Sequence, residues 1–244
     1  TRAKPFILPV STLVREELNR VYSLPENRVR VIHPGMDPKV FSGLDRAAVR
    51  AEVRADYGFT EDDSVSLFVG MNFEVKRLDL VIEALANAAR IRPRARPALM
   101  VVGRGDRKRY MVQAEKLGIG DRVKFVGVTD RMGAYYASAD LFVMPSRFDT
   151  FGLVVLEAMA AGLPVIISER TGARDLVKSG REGFVVPVDV SPSELGETIA
   201  GLADRAVGVE MGRMAQAASA GRSWENVAGR VEEVYRSPDV RGER

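Results

Sequence analysis

Two carboxylates and one lysine stand out, because their spacing and surroundings give them chemistry to do. In the run Pro145-Ser146-Arg147-Phe148-Asp149-Thr150-Phe151-Gly152-Leu153-Val154-Val155-Leu156-Glu157-Ala158-Met159-Ala160-Ala161-Gly162, every position from Leu153 to Ala161 is apolar except Glu157. A helix that is apolar all round is buried. A carboxylate inside it is costly unless it meets a partner, either protein donors or ligand hydroxyls. Pairing of Glu157 to a neighbouring Lys or Arg, with no further role, is the competing reading. Asp149 lies eight residues earlier, outside the helix start, at most about 12 Å away at a helical rise. Between the two acids, free N–H groups around residues 151–154 at the helix N-terminus suit a diphosphate. One acid for hydroxyls on each side of an anion site matches a ligand built of ribose, diphosphate and sugar.

Two further loops follow apolar runs. In Gly70-Met71-Asn72-Phe73-Glu74-Val75-Lys76-Arg77 the glycine permits close backbone approach, and Lys76 is placed to reach an anion held near a helix N-terminus. A plain surface lysine is the alternative. The loop is no Walker A motif, since Gly-Lys-Ser/Thr is absent. Gly103-Arg104-Gly105-Asp106 holds only the first half of a dinucleotide fingerprint, because Lys108 stands where the third glycine belongs. A turn glycine between strand and helix explains it equally well.

These loops need a frame, and the chain supplies one. Short Val- and Ile-rich runs alternate with stretches of helical period, the pattern of βα units in a parallel sheet. Strands are expected near Val65–Val69, Ala98–Val102, Val123–Val126, Leu141–Met144, Pro164–Ile167 and Gly183–Val186. Leu78, Val81, Ile82, Leu85 and Ala89 mark one helical face between the first two. The fold class expected is α/β, a doubly wound, Rossmann-like parallel sheet of about six strands with helices on both faces. Ligands of such sheets sit at the carboxyl ends of the strands, where all three loops lie. Ahead of it come a strand at Pro5–Val10, a helix from an N-capping Ser11 to about Tyr22, and a strand at Val29–His33. The turn-rich His33-Pro34-Gly35-Met36-Asp37-Pro38 follows as a linker. After Pro192 the chain turns helical, ending in a segment around Trp224–Tyr235.

Composition removes several function classes. The 244 residues include no cysteine, so a disulfide framework, a Cys nucleophile and a thiolate metal site are out, and the chain suits a reducing cytoplasm. The single histidine, His33, leaves little for a zinc site or a Ser-His-Asp hydrolase. No apolar run reaches the roughly 18 residues of a spanning helix, and Thr1–Pro5 do not form a signal peptide. Solubility is the expectation. Between Arg90 and Arg131 stand 12 basic and 4 acidic side chains, including Arg90, Arg92, Arg94 and Arg96. Such a stripe suits nucleic acid, anionic lipid or a phosphorylated ligand, or is a solvated turn. Aromatic residues for base stacking are missing, which argues against nucleic acid.

The acid-x7-acid element from Asp149 to Glu157, with Phe151-Gly152 and Leu156-Glu157-Ala158-Met159-Ala160-Ala161-Gly162-Leu163-Pro164-Val165-Ile166, resembles the signature of glycosyltransferase family 4, retaining enzymes of the GT-B fold. Val31-Ile32-His33-Pro34-Gly35-Met36-Asp37 is similar to that family's interdomain linker. Ala139 to Ser146 is similar to the strand before the signature, and Ser223-Trp224 to the start of the final helix. The resemblance implies that residues 1–36 are a remnant of an N-terminal acceptor domain and its linker. It makes 37–222 the donor-binding domain and 223–244 a C-terminal helix and tail. The chain has no initiator Met, and the expectation is a fragment that binds donor without turning over well.

Carried over position by position, Lys76 would neutralise the donor diphosphate, Asp149 would hold the transferred sugar, and Glu157 would bind ribose hydroxyls. Gly70 and Asn72 would border the diphosphate. Backbone N–H groups of Phe151, Gly152 and Leu153 would touch sugar and phosphate, and Val126, Gly127 and Val128 the base. The implied donor is a nucleoside-diphosphate hexose, UDP-linked, and the acceptor a glycan or lipid-linked saccharide. No metal and no other cofactor is implied. The implied location is cytoplasmic, with the inner face of the membrane and a peripheral contact through the basic stripe as further expectations. The family commonly has Glu where Asp149 stands, and a phosphate-binding Arg where Met71 and Asn72 stand; Arg77, where many members have Gly, either supplies that charge from the other side or, as expected here, faces solvent. His33 is expected to be structural, and Trp224 to pack against the core. The rivals are a GT-B epimerase, an NAD-linked enzyme, or a non-catalytic polyanion-binding module.

Overall fold

The structure, a computed structural model, describes residues 6–237. Six strands form one parallel sheet: β1 (Val65–Gly70), β2 (Ala98–Gly103), β3 (Val123–Gly127), β4 (Leu141–Met144), β5 (Val165–Ser168) and β6 (Gly183–Val186). Their order is β3-β2-β1-β4-β5-β6. The chain builds outward from β1 to β3, then returns to lay β4 on the other side of β1, so the order reverses there. Loops leaving β1 and β4 diverge at such a point and open a crevice at the carboxyl ends of the strands. Strands β1, β4 and β5 are buried at every position, the physical reason their sequences run apolar without alternation.

Helices close both faces. The face of α3 (Leu78–Ile91) carrying Leu78, Val81, Ile82 and Leu85 is fully buried, each side chain contributing about 1.5–3 kcal/mol of burial. Helix α3 also packs against α7 (Pro192–Leu202). The contact is close because a Cβ on Gly196 would stand 2.6 Å from Asn87 Cβ. Helix α2 (Arg46–Asp56), which the apolar pattern did not reveal, precedes β1 and buries Arg54. That guanidinium donates to the carbonyls of Ser138 (3.0 Å), Thr60 (2.6 Å) and Asp63 (3.1 Å) and to Asp140 (2.6 Å). Asp140 also accepts from Val65 N at 2.7 Å, so one carboxylate fixes the starts of β1 and β4 together.

The segment before the sheet is less regular than expected. Ser11 caps α1 (Thr12–Tyr22), its Oγ accepting from Val14 N at 3.2 Å. The expected strands at 5–10 and 29–33 reduce to one parallel bridge between Ile7 and Val29, and Pro5 lies outside the described residues. Pro9 has no N–H to donate, and two short strands without a third do not persist as a sheet. The linker meets the end of the chain. Met36 bridges Ser223 in parallel, and a Cβ on Gly35 would fall 2.5 Å from the Ser223 carbonyl carbon. Helix α9 (Trp224–Arg236) is seated by that backbone approach and by buried Val234. Trp224, expected to pack on the core, is 48% exposed. Among the described residues no helix is long and apolar enough to cross a membrane.

Candidate functional site

The loop after β1 folds back over the strand it leaves. Asn72 Oδ1 accepts from Val75 N (3.1 Å), Asn72 O accepts from Lys76 N (3.1 Å), and Arg77 takes the left-handed conformation at φ 59°. This turn lays the Lys76 stem across Gly70, where a Cβ would lie 3.0 Å from Lys76 Cγ. Gly70 therefore makes room for the lysine. Gly103 has a different reason. At φ +123° its Cβ would fall 1.8 Å from Gly70 O, so it serves the close pairing of β1 and β2. Strand packing thus accounts for Gly103 without a dinucleotide.

The loop after β4 meets the first one. Arg147 N donates to Val75 O (2.8 Å), and Ser146 Oγ donates to Phe148 O (3.0 Å). Asp149 is fixed through its backbone, N to Arg170 O and O from Gly172 N, both 2.9 Å. Its carboxylate faces Lys76, and the two form an ion pair with side chains 16% and 18% exposed. Asp149 Oδ1 also accepts from Phe151 N at 3.2 Å. This corrects one expectation: the Phe151 amide is engaged within the loop and is not free for a ligand.

Gly152, in the left-handed conformation at φ 86°, starts α6 (Leu153–Ala160). The amides of Leu153 and Val154 have no acceptor among the described residues, and Leu153 is 41% exposed. An anion placed there would meet unsatisfied donors and the positive end of the helix dipole. Further along α6, Glu157 is half-buried, with no cation paired to it among the described residues. Its partner is a phenol: Tyr136, on α5 (Met132–Ser138), donates to Glu157 Oε2 at 2.8 Å. Burial pushes the Glu157 carboxyl above its ordinary range, and the Tyr136 hydrogen bond pulls it partly back. Burial, with Glu157 beside it, pushes Tyr136 well above the usual phenol. The sequence pattern does not reveal Tyr136, since nothing in Tyr135-Tyr136 tells which ring faces inward.

Lys76, Asp149 and the start of α6 therefore converge, with Gly70 beneath the lysine. Val126 and Gly127 end β3 and Val128 follows it, at the same edge of the sheet, two strand spacings or about 10 Å from β1. Gly127 has φ +89° with open space around it, and Val128 is 67% exposed. Asn72 is exposed at the tip of the first loop. Arg77 is not solvent-facing as expected: it is half-buried, and its guanidinium donates to Val188 O. His33 makes contacts within the fold, its Nε2 2.9 Å from Asp175 Oδ2 and its ring stacked on Phe151 at 5.8 Å. Asp175 also accepts from Thr12 N at 2.7 Å, tying α1 to the turn Gly172–Leu176 that follows β5.

The basic stripe divides: Arg104 follows β2 at the carboxyl edge, its N donating to Gly70 O at 3.1 Å, whereas Arg92, Arg96 and Arg122 lie away from the site. Arg92 pairs with Asp204 (3.5 Å), while Arg96 and Arg122 both pair with Asp63 (3.0 and 2.9 Å), at the amino ends of the strands. A cavity of about 450 Å³ also lies at that end, lined in part by Arg46, Arg50, Glu61, Asp140 and Arg205. Its arginines are already engaged by Ala161 O, Asp140 and Glu61, so it presents no convergent free donors.

Residues 49–220 match the family described as glycosyl transferases group 1. The chain belongs to this family. Over 232 residues it is 33% identical to D-inositol 3-phosphate glycosyltransferase of Streptomyces avermitilis, covering 90% of this chain and 49% of that protein. It is 32% identical over 183 residues to an uncharacterized glycosyltransferase of Methanocaldococcus jannaschii, covering 74% and 46%. The chain spans about half the length of the curated relatives it matches. Its fold superposes on the Anabaena protein HepE in complex with UDP-glucose with a TM-score of 0.82 at 23% identity, covering 96% of this chain and 64% of HepE. The six-stranded sheet is thus the Rossmann-like fold of the GT-B glycosyltransferases.

Proposed function

We propose that this group 1 glycosyltransferase chain is the donor-binding part of a retaining family 4 enzyme, taking a hexose from a UDP-sugar to a glycan or lipid-linked saccharide. The observation that carries the reading is the meeting of Lys76 and Asp149 at the open N-terminus of α6, with Glu157 held by a phenol further along the same helix. Residues 37–222 form the donor unit in this reading. Residues 1–36 are then a remnant of the acceptor domain with its linker, and 223–244 a C-terminal helix and tail.

Each group then has a task. The diphosphate lies across the amides of Leu153 and Val154 with Lys76 beside it, and the base rests against Val126–Val128. Glu157 accepts from the ribose hydroxyls and Asp149 from the sugar. In the empty site Lys76 and Asp149 neutralise each other; donor entry exchanges that pair, the phosphate taking the ammonium and sugar hydroxyls taking the carboxylate. When the bond between the sugar anomeric carbon and phosphate oxygen breaks, negative charge grows on the departing nucleoside diphosphate. Lys76 and the helix terminus stabilise charge where it develops, a role a cation fills elsewhere.

Calorimetric titration with UDP, GDP, ADP and NAD tests this directly. One nucleoside diphosphate should bind, and Lys76→Ala and Glu157→Ala should each weaken it at least about tenfold. Preferential NAD binding that ignores Glu157→Ala would refute the reading.

A further inference from the structure

Tyr136 presents a polar group that packing alone does not need. The ring is fully buried, 6.1 Å between centroids from Phe41, and a phenylalanine would fill the same space. The hydroxyl nonetheless reaches two acceptors, Glu157 Oε2 at 2.8 Å and Val154 O at 3.3 Å. A phenol has one proton. The closer, anionic acceptor takes it, because hydrogen bonds to charged groups are the shorter and stronger ones.

The consequence lies on the carboxylate. A glutamate side chain has three rotatable bonds, and among the described residues no cation pairs with Glu157 to orient it. With one oxygen tethered to a rigid ring, the other keeps its lone pairs for a ligand. We infer that Tyr136 is the positioning residue of the donor site, its O–H holding Glu157 Oε2 so that Oε1 faces the vicinal hydroxyls of the nucleotide ribose. The inference rests on the ribose-binding reading of Glu157 given above. A second effect points the same way. The Tyr136 bond offsets part of the burial that favours the protonated carboxyl, and a protonated Glu157 loses acceptor capacity towards a diol.

The test compares UDP with 2′,3′-dideoxy-UDP by calorimetry between about pH 5 and pH 8, using the full chain and its Tyr136→Phe variant. A single cooperative melting transition, lowered by no more than the loss of one hydrogen bond, confirms that the ring still packs in the variant. The wild-type chain should prefer UDP about tenfold or more, and Tyr136→Phe should remove most of that preference while binding the dideoxy analogue unchanged. The acid limb of UDP binding, and the Glu157 carboxyl midpoint followed by 13C NMR without ligand, should both move to higher pH in the variant. If the variant keeps the full preference and the carboxyl midpoint stays in place, the positioning role is overturned while the ribose reading survives. If the wild-type chain treats the two nucleotides alike, or binds neither, the ribose reading fails and takes this inference with it.

Discussion

Replacing Asp149 with asparagine removes one of the two charges that meet at the start of α6. Asparagine keeps an oxygen for Phe151 N, so the loop holds its shape, but the ion pair with Lys76 is gone. Exposed pairs contribute about 0.2–1 kcal/mol, and breaking a sealed pair costs several. With side chains 16% and 18% exposed, this pair falls between, at roughly 1 kcal/mol. At about 1.4 kcal/mol per factor of ten, UDP alone should bind Asp149→Asn about fivefold more tightly, because the phosphate no longer competes with a carboxylate for Lys76. UDP-glucose should lose whatever advantage it has over UDP, since the acceptor for the sugar hydroxyls has been weakened. Calorimetry with both ligands on both proteins measures the two effects together. If Asp149→Asn binds UDP no better, or worse, Lys76 is not freed for a phosphate and the exchange of partners described above is wrong.

Three other perturbations follow from the geometry. Gly70→Ala should leave melting nearly unchanged but weaken UDP binding severalfold, because the new methyl displaces the Lys76 stem 3.0 Å away; equal binding would show that the lysine does not need that path. Gly103→Ala should cost at least about 3 kcal/mol in denaturant unfolding, since its Cβ would strike Gly70 O; a folded variant of ordinary stability would contradict the strand pairing. Glu157→Gln should raise the melting temperature at pH 7 by a few degrees. A carboxyl pushed up by burial contributes stability below its unfolded value and loses it as pH rises through the folded one, so at neutral pH the ionised form burdens the fold. The gain should vanish in acid, and a gain independent of pH would point to packing instead.

The sheet was legible because its strands sit between helices and must be apolar throughout; the β4 and β6 bounds read from the sequence coincide with the observed ones, and the rest differ at the ends. Helix α2 was not, since it is held by Arg54 among carbonyls, contacts no periodicity reveals. The isolated Ile7–Val29 bridge escaped for a similar reason: apolar runs mark extended chain, while how far two such runs pair is a tertiary fact. At the site, residue types showed that Glu157 needed a partner but not that a tyrosine supplies it. Pairing of Lys76 with Asp149 across 73 positions is equally hidden, because an ion pair between two separate loops leaves no pattern in either.

The most direct test of the donor site is to map UDP onto the chain by amide chemical shifts. The account predicts the largest changes at Leu153 and Val154, followed by Lys76 and the Val126–Val128 loop, all at the carboxyl ends of the strands. Changes centred instead on Arg46, Arg50 and Arg205, around the cavity at the opposite end, would contradict it.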